Sequence, residues 1–174
     1  MGCEWLGGLL GWLYRSLIKE LKREPLYPLH RRRCHSLDGT GFAASGYDVV
    51  AYFDLPQNAV GQSQPAPVAG DKDITAEYNG AKFAFSSEAN KTAFLADPAK
   101  YAPQYDGHCA YGVSKGGKVP GNPTLWRIVD DKLYLNITKN VVGFWEEDIP
   151  GNIDLAEGNW TSTEPAPAPD RAIP

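Results

Sequence analysis

The run Ile74–Phe85 (ITAEYNGAKFAF) constrains the fold more than any other part of this chain. Asn79-Gly80 stands between two strand-forming runs. It is the strongest short signal for a type I′ hairpin turn, because both central residues of that turn need φ > 0. On the second strand Phe83 and Phe85 share one face by the two-residue period. Ser86 or Ser87 can cap a following helix that carries Glu88 in its first turn. This helix is predicted to run to about Ala96 and to bury Ala89, Ala93 and Phe94. Asp97-Pro98 ends it and starts another short turn, with Pro98 at a first helical position. Further along, Leu125–Ile137 (LWRIVDDKLYLNI) reads as a second hairpin around Asp130-Asp131. A strand-like run is expected over Gly46–Phe53 and a loop over residues 54–71. Helices are expected over Asn140–Glu147 and Gly151–Trp160, separated by Pro150. The pattern is α+β: a small single domain over residues 45–160, with two β-hairpins and several short helices.

A chain of 174 residues accommodates such a domain plus appendages and can bury a real core. Its net charge of −4 argues against nucleic acid as a partner. The charge is unevenly spread: residues 1–36 hold seven Lys/Arg and three acids, the remainder ten bases and eighteen acids. Residues 1–44 therefore read as a basic amphipathic leader and linker. Within them, residues 2–24 place Trp5, Leu6, Leu9, Leu10, Trp12, Leu13, Leu17, Ile18 and Leu21 at helical spacing, and Pro25 stops the helix. The uncharged run Trp5–Tyr14 is half of the ~20 residues needed to cross a bilayer. The bases follow the apolar run, the reverse of a secretory signal. Such a helix suits a membrane surface. A docking site on a larger protein complex, or a leader from a mis-assigned start, is read equally well. Met1-Gly2-Cys3 resembles a dual-acylation start, but Leu6 stands where that pattern wants Ser or Thr. Residues 161–174 are Pro/Ala-rich without core residues and read as a disordered tail.

The candidate site is Tyr101–Val113, which packs a histidine, a cysteine and three tyrosines directly after a helix-like segment. Cys109 and His108 are the two soft metal-ligand residues between positions 36 and 174. As neighbours they could face one ion in an irregular turn but not in a strand. Zinc wants four ligands, so Asp106, or a more distant carboxylate such as Asp48, would have to complete the set. Copper(I) accepts two. The competing reading is a packed helix start with Cys109 as a small buried hydrophobe. A catalytic thiol would need an oriented base, and no G-x-S-x-G, phosphate loop or HExxH motif is present. Gly116-Gly117-Lys118 reads as a turn, and His30, Cys34 and His35 as part of a basic linker. Cysteines at 3, 34 and 109 show no paired spacing, although Cys34 and Cys109 could bridge. The aromatic set from Tyr47 to Trp145, Phe144 included, reads as core. The sequons at Asn136 and Asn159 are weak matches.

Several ordered segments carry a resemblance: Gly46–Phe53 (GYDVVAYF), Tyr78-Asn-Gly-Ala-Lys-Phe-Ala-Phe, Phe94–Val113, Val119–Trp126, Leu133–Asn136 and Trp145–Pro150. Together they resemble the YHS domain family, in its longer, stand-alone, mostly bacterial and exported form. The resemblance implies a treble-clef-like relative and a metal-related role. It leads first to a non-enzymatic module that binds or senses copper or zinc through Cys109 and His108. The alternative is a structural or interaction protein, an adaptor or accessory subunit docked through residues 2–24. By resemblance the chain would be exported or periplasmic, and by its leader membrane-associated.

Overall fold

In the computed structural model, residues 40–166 are described. The expected leader helix, the His30/Cys34/His35 tract and residues 167–174 lie outside them.

Both hairpins form. Strands β1 (Asp71–Tyr78) and β2 (Ala81–Phe85) are antiparallel, and Tyr78 pairs with Ala81 across the turn. Asn79 and Gly80 take φ of 50° and 77°, as a type I′ turn requires. Strands β3 (Asn122–Val129) and β4 (Lys132–Asn136) close on the pair Val129 and Lys132. Their turn uses Asp130 and Asp131 at φ of 48° and 56°, a left-handed pair without glycine. Each first strand carries a register shift, between Asp71 and Thr75 and between Asn122 and Trp126. The hairpins form two separate two-stranded sheets.

The helices are short and capped. Helix α1 (Glu88–Ala96) is capped by Ser87, and α2 (Pro98–Tyr101) by Asp97 with Pro98 in its first turn. Then come α3 (Ala110–Ser114), α4 (Lys139–Glu146) capped by Thr138, and α5 (Ile149–Thr163) capped by Asp148. Pro150 does more than separate the last two helices. It sits in the first turn of α5, where its missing N–H has no intrahelical partner to lose. That helix runs past Trp160 to Thr163.

The expected strand over Gly46–Phe53 does not form. Tyr47 makes one bridge, to Ala69, and Ala51–Asp54 is a 3-10 turn. The cause is Asp48, which is fully buried. Its Oδ1 accepts hydrogen bonds from Val50 N (3.0 Å) and Ala51 N (3.3 Å), two donors that an extended strand would need for its ladder.

The core consists of aromatic clusters. Phe94 of α1 lies 4.8 Å from Phe83 and 5.0 Å from Phe85, ring centre to ring centre, so the shared face of β2 meets the helix as the alternation predicts. Phe94 is buried and Ala93 half-buried, but Ala89 faces solvent. A second cluster joins Tyr105, Ala110, Val113, Tyr134, Trp145 and Ala156; a third joins Tyr52, Trp126, Leu133 and Leu135. Each fully buried aromatic side chain contributes roughly 1.5–3 kcal/mol of transfer free energy. Phe144 departs from the expected core set: it is 51% exposed and leans on Tyr111 at 6.0 Å.

Candidate functional site

The chain reaches Cys109 through a left-handed turn. Tyr105, Asp106 and Gly107 take φ of 57°, 53° and 77°. His108 then bridges to Pro120, and Cys109 to Leu135. Both side chains are buried, Cys109 at 0% and His108 at 1% exposure. His108 Nδ1 lies 2.8 Å from the Tyr105 carbonyl oxygen, and its ring packs 6.3 Å from that of Trp160.

Cys109 is the N-cap of α3. Its sulfur accepts from Gly112 N at 3.4 Å and its thiol donates to Asn136 Oδ1 at 3.4 Å. The same oxygen accepts from Tyr111 N at 3.2 Å. Asn136 therefore holds the thiol and the start of α3 together. It is 3% exposed, which removes the sequon at Asn136 from the surface. The sequon at Asn159 is likewise committed, because Asn159 Nδ2 donates to the Val113 and Ser114 carbonyls.

Burial pushes the Cys109 thiol up, against the pull of the Gly112, Ile137 and Tyr111 backbone amides. Cys109 is a free, protonated thiol at neutral pH, and Cys34 lies outside the described residues. Burial likewise pushes up the hydroxyls of Tyr52 and Tyr105, and that of Tyr134 to about 12. The consequence for stability has a definite sign. Above the ordinary thiol and phenol values, about 8.5 and 10, the unfolded chain releases protons that the folded chain keeps. Stability should therefore be level near pH 7 and fall as pH rises through this range. Urea midpoints between pH 7 and 10.5 check this; a midpoint that stays level or rises would refute it. Cys109→Ser should remove the part of the fall that begins near pH 8.5.

The residues named with Cys109 are not all brought to it. Asp48 is spent elsewhere: its Oδ2 accepts from Ser86 N (2.7 Å), Ser86 Oγ (2.6 Å) and Asn90 Nδ2 (2.7 Å). Asp106 sits in the left-handed turn. Among the described residues no group of three or more His, Cys, Asp or Glu side chains gathers in a way that could hold a metal ion. Zinc, which wants four donors, does not fit this set. Gly116 and Gly117 belong to a turn, and Lys118 Nζ donates to the Glu164 and Ala166 carbonyls.

A cleft of 220 Å³ lies elsewhere, between residues 61–64, strand β3 and helix α4. Its helix wall is Lys139, Val142, Gly143 and Glu146, which share one face at helical spacing. Trp126 forms part of the floor, and its Nε1 donates to the Pro65 carbonyl at 2.9 Å. The segment 58–61 is strapped down by charge. Arg127 donates from Nε (2.9 Å) and Nη2 to Glu146 Oε1, and to the carbonyls of Asn58 and Ala59. Glu146 Oε2 accepts from Gly61 N at 2.8 Å. Both side chains of the pair are nearly sealed, 7% and 5% exposed. Arg127 and Glu146 belong to no motif in the sequence, and Asn136 stands out there only as a sequon. A charged residue inside the apolar run LWRIV was the available signal for Arg127.

Comparison with known proteins gives a family match. The family profile of the YHS domain covers residues 65–105, from the end of the strap through the first hairpin, α1 and α2 to Tyr105. No curated protein and no solved structure matches the chain.

Proposed function

The chain carries a YHS domain, and on that premise we propose that it is a non-catalytic binding module that takes its ligand or partner in the cleft between the strap and α4. The observation that carries this reading is the sealed Arg127–Glu146 pair. Burying two charges costs several kcal/mol of desolvation, so such a pair is poor evidence of added stability. Here it fixes the position of an exposed strap that builds one wall of a cleft. The opposite wall is left bare by Gly143. A glycine inside a helix costs about 1 kcal/mol relative to alanine. A Cβ at Gly143 would meet nothing within 4 Å, so packing does not require the glycine.

The test is a screen of small fragments and capped tripeptides by amide shift changes. Binders should move Gly61, Gln62, Gly143 and the Trp126 indole. Gly143→Tyr should abolish binding, and Gly158→Tyr should leave it intact, since Gly158 also has open space around it but lines no described cleft. Shifts that cluster around His108 and Cys109, or binding that survives Gly143→Tyr, would reject the cleft. Docking through residues 2–24 would serve the same adaptor role. Their deletion should then reduce co-sedimentation with liposomes, and unchanged partitioning would remove them from it.

A second reading, a metal-related module, is favoured by the backbone amides of Gly112, Ile137 and Tyr111 around the sulfur. Amide donors stabilise a thiolate, the form that binds metal. Cys109 would hold a soft ion such as copper(I) with an incoming second donor, because His108 and Cys109 are both extended (φ, ψ of −76°, 159° and −60°, 116°) and their side chains leave on opposite faces; copper would supply one-electron chemistry there. Stoichiometric copper in untagged protein, lost in Cys109→Ala, would support it. Protein that resists stoichiometric loading would remove it.

A further inference from the structure

We infer that the chain is a tandem of two YHS-type units, the second formed by residues 105–151, which begin where the matched segment ends, and that Cys109 fills a buried acceptor slot that the first unit fills with Asp48.

The correspondence runs through the backbone. Ala44, Ser45 and Gly46 take φ of 49°, 55° and 80°; Tyr105, Asp106 and Gly107 take 57°, 53° and 77°. The next residue bridges in both cases, Tyr47 to Ala69 and His108 to Pro120. Asp48 N donates to Val68 O at 2.9 Å, and Cys109 N to Val119 O at 2.9 Å. Gly70 N donates to Gly46 O at 2.9 Å, and Gly121 N to Gly107 O at 3.1 Å. Both glycines press on the same place in their hairpins: a Cβ would come 2.6 Å from the Ala84 backbone in one, and 2.7 Å from Leu135 Cβ in the other.

The hairpins then repeat in register. Asp71 pairs with Phe85 and Thr75 with Ala84 across a shift; Asn122 pairs with Asn136 and Trp126 with Leu135 across the same shift. Ser87 and Thr138 cap the following helices by accepting from Asn90 N and Val141 N. Phe94 and Trp145 are the buried aromatics of those helices. Asp97 and Asp148 end the units with φ, ψ of −150°, 77° and −151°, 77°, each capping the next helix. The units differ chiefly in the connection before the hairpin, residues 54–67 in the first and the shorter 115–118 in the second.

Asp48 and Cys109 occupy the same point of this plan. Asp48 accepts from the amides of Val50, Ala51 and Ser86. Of the equivalent amides, Gly112 N donates to the Cys109 sulfur at 3.4 Å and Tyr111 N to Asn136 Oδ1 beside it at 3.2 Å, and the amides of Gly112, Ile137 and Tyr111 all favour the thiolate against burial. The slot is a set of three inward backbone donors, and a buried carboxylate satisfies it in the first unit.

This makes a prediction that a merely apolar cysteine does not. A carboxylate at a fully buried apolar position normally unfolds a small domain. Cys109→Asp should instead give a folded protein with an unfolding midpoint within about 6 °C of the parent, on the scale of ~2–4 °C per kcal/mol. Val113→Asp, at a residue as buried in the same unit, should not fold. A transplant of Cys109→Asp with Ile137→Ser and Val141→Asn copies the side-chain donors that Ser86 and Asn90 give Asp48. It should fold at least as well as Cys109→Asp. Folding of either variant supports the tandem slot. Loss of folding in both, matching Val113→Asp, overturns it.

Discussion

Asp48→Ala should lower stability by about 4 kcal/mol or more, enough to leave the domain largely unfolded at modest denaturant. Five donors converge on this carboxylate: the amides of Val50, Ala51 and Ser86, the Ser86 hydroxyl and the Asn90 side-chain amide. Asp48 is fully buried, and the Val50 and Ala51 amides that it accepts from are buried with it, while Ser86 and Asn90 reach it from the edge of the site. Each buried donor left unmade costs ~1–3 kcal/mol, discounted here because the donors can shift toward one another's acceptors. The loss would not stay local. One oxygen turns the chain at Val50–Ala51, and the other ties that turn to the end of β2 and to α1. Asp48→Asn keeps the volume and one acceptor but sets an NH₂ among donors, and should cost about 2–3 kcal/mol. Urea unfolding followed by circular dichroism checks the order. A cost below about 1 kcal/mol for Asp48→Ala would show that the carboxylate is incidental.

The same residue shows what the sequence could and could not reveal. GYDVVAYF is apolar, β-branched and aromatic, and local propensity reads it as a strand. A side chain that caps its own downstream amides outweighs that propensity, and nothing in the run announces that Asp48 faces inward. The first hairpin was legible because Asn79-Gly80 encodes both positive φ values. Asp130-Asp131 adopts the same turn without glycine, so the legible cue there was the pair of flanking runs. The caps at Ser87 and Asp97 were legible as chemistry. The candidate site was legible as a set of residues and not as an arrangement. His108 and Cys109 stand out in the sequence, but Asn136, which accepts from the Cys109 thiol, is 27 positions away. The repeat was hidden for a similar reason. The paired positions share few residues, Gly46 with Gly107, Val68 with Val119, Gly70 with Gly121 and Asp97 with Asp148, and the connections between them differ in length.

The second large effect is expected at the strap. Arg127→Ala leaves Glu146 as a sealed charge with Gly61 N as its remaining donor, and should cost about 3–5 kcal/mol. Glu146→Ala strands the guanidinium in the same way. A double change to matched apolar residues, Arg127→Met with Glu146→Leu, removes both desolvation costs and should recover most of that loss, because a buried pair is often no better than a well-packed apolar contact. The recovery should not extend to the strap. Arg127 also donates to Asn58 O and Ala59 O, and Glu146 holds Gly61 N, bonds that methionine and leucine cannot replace. The double variant should therefore unfold near the parental denaturant midpoint, yet exchange the Gly61 amide at least tenfold faster and bind cleft ligands more weakly. Two measurements separate the two roles of the pair: global unfolding reads its contribution to stability, and hydrogen exchange at Gly61 reads its hold on the cleft wall. A double variant that is stable and keeps slow exchange at Gly61 would mean that Trp126 Nε1 to Pro65 O and Ile128 N to Gln57 suffice to seat the segment. The charge pair would then have no part in building the cleft.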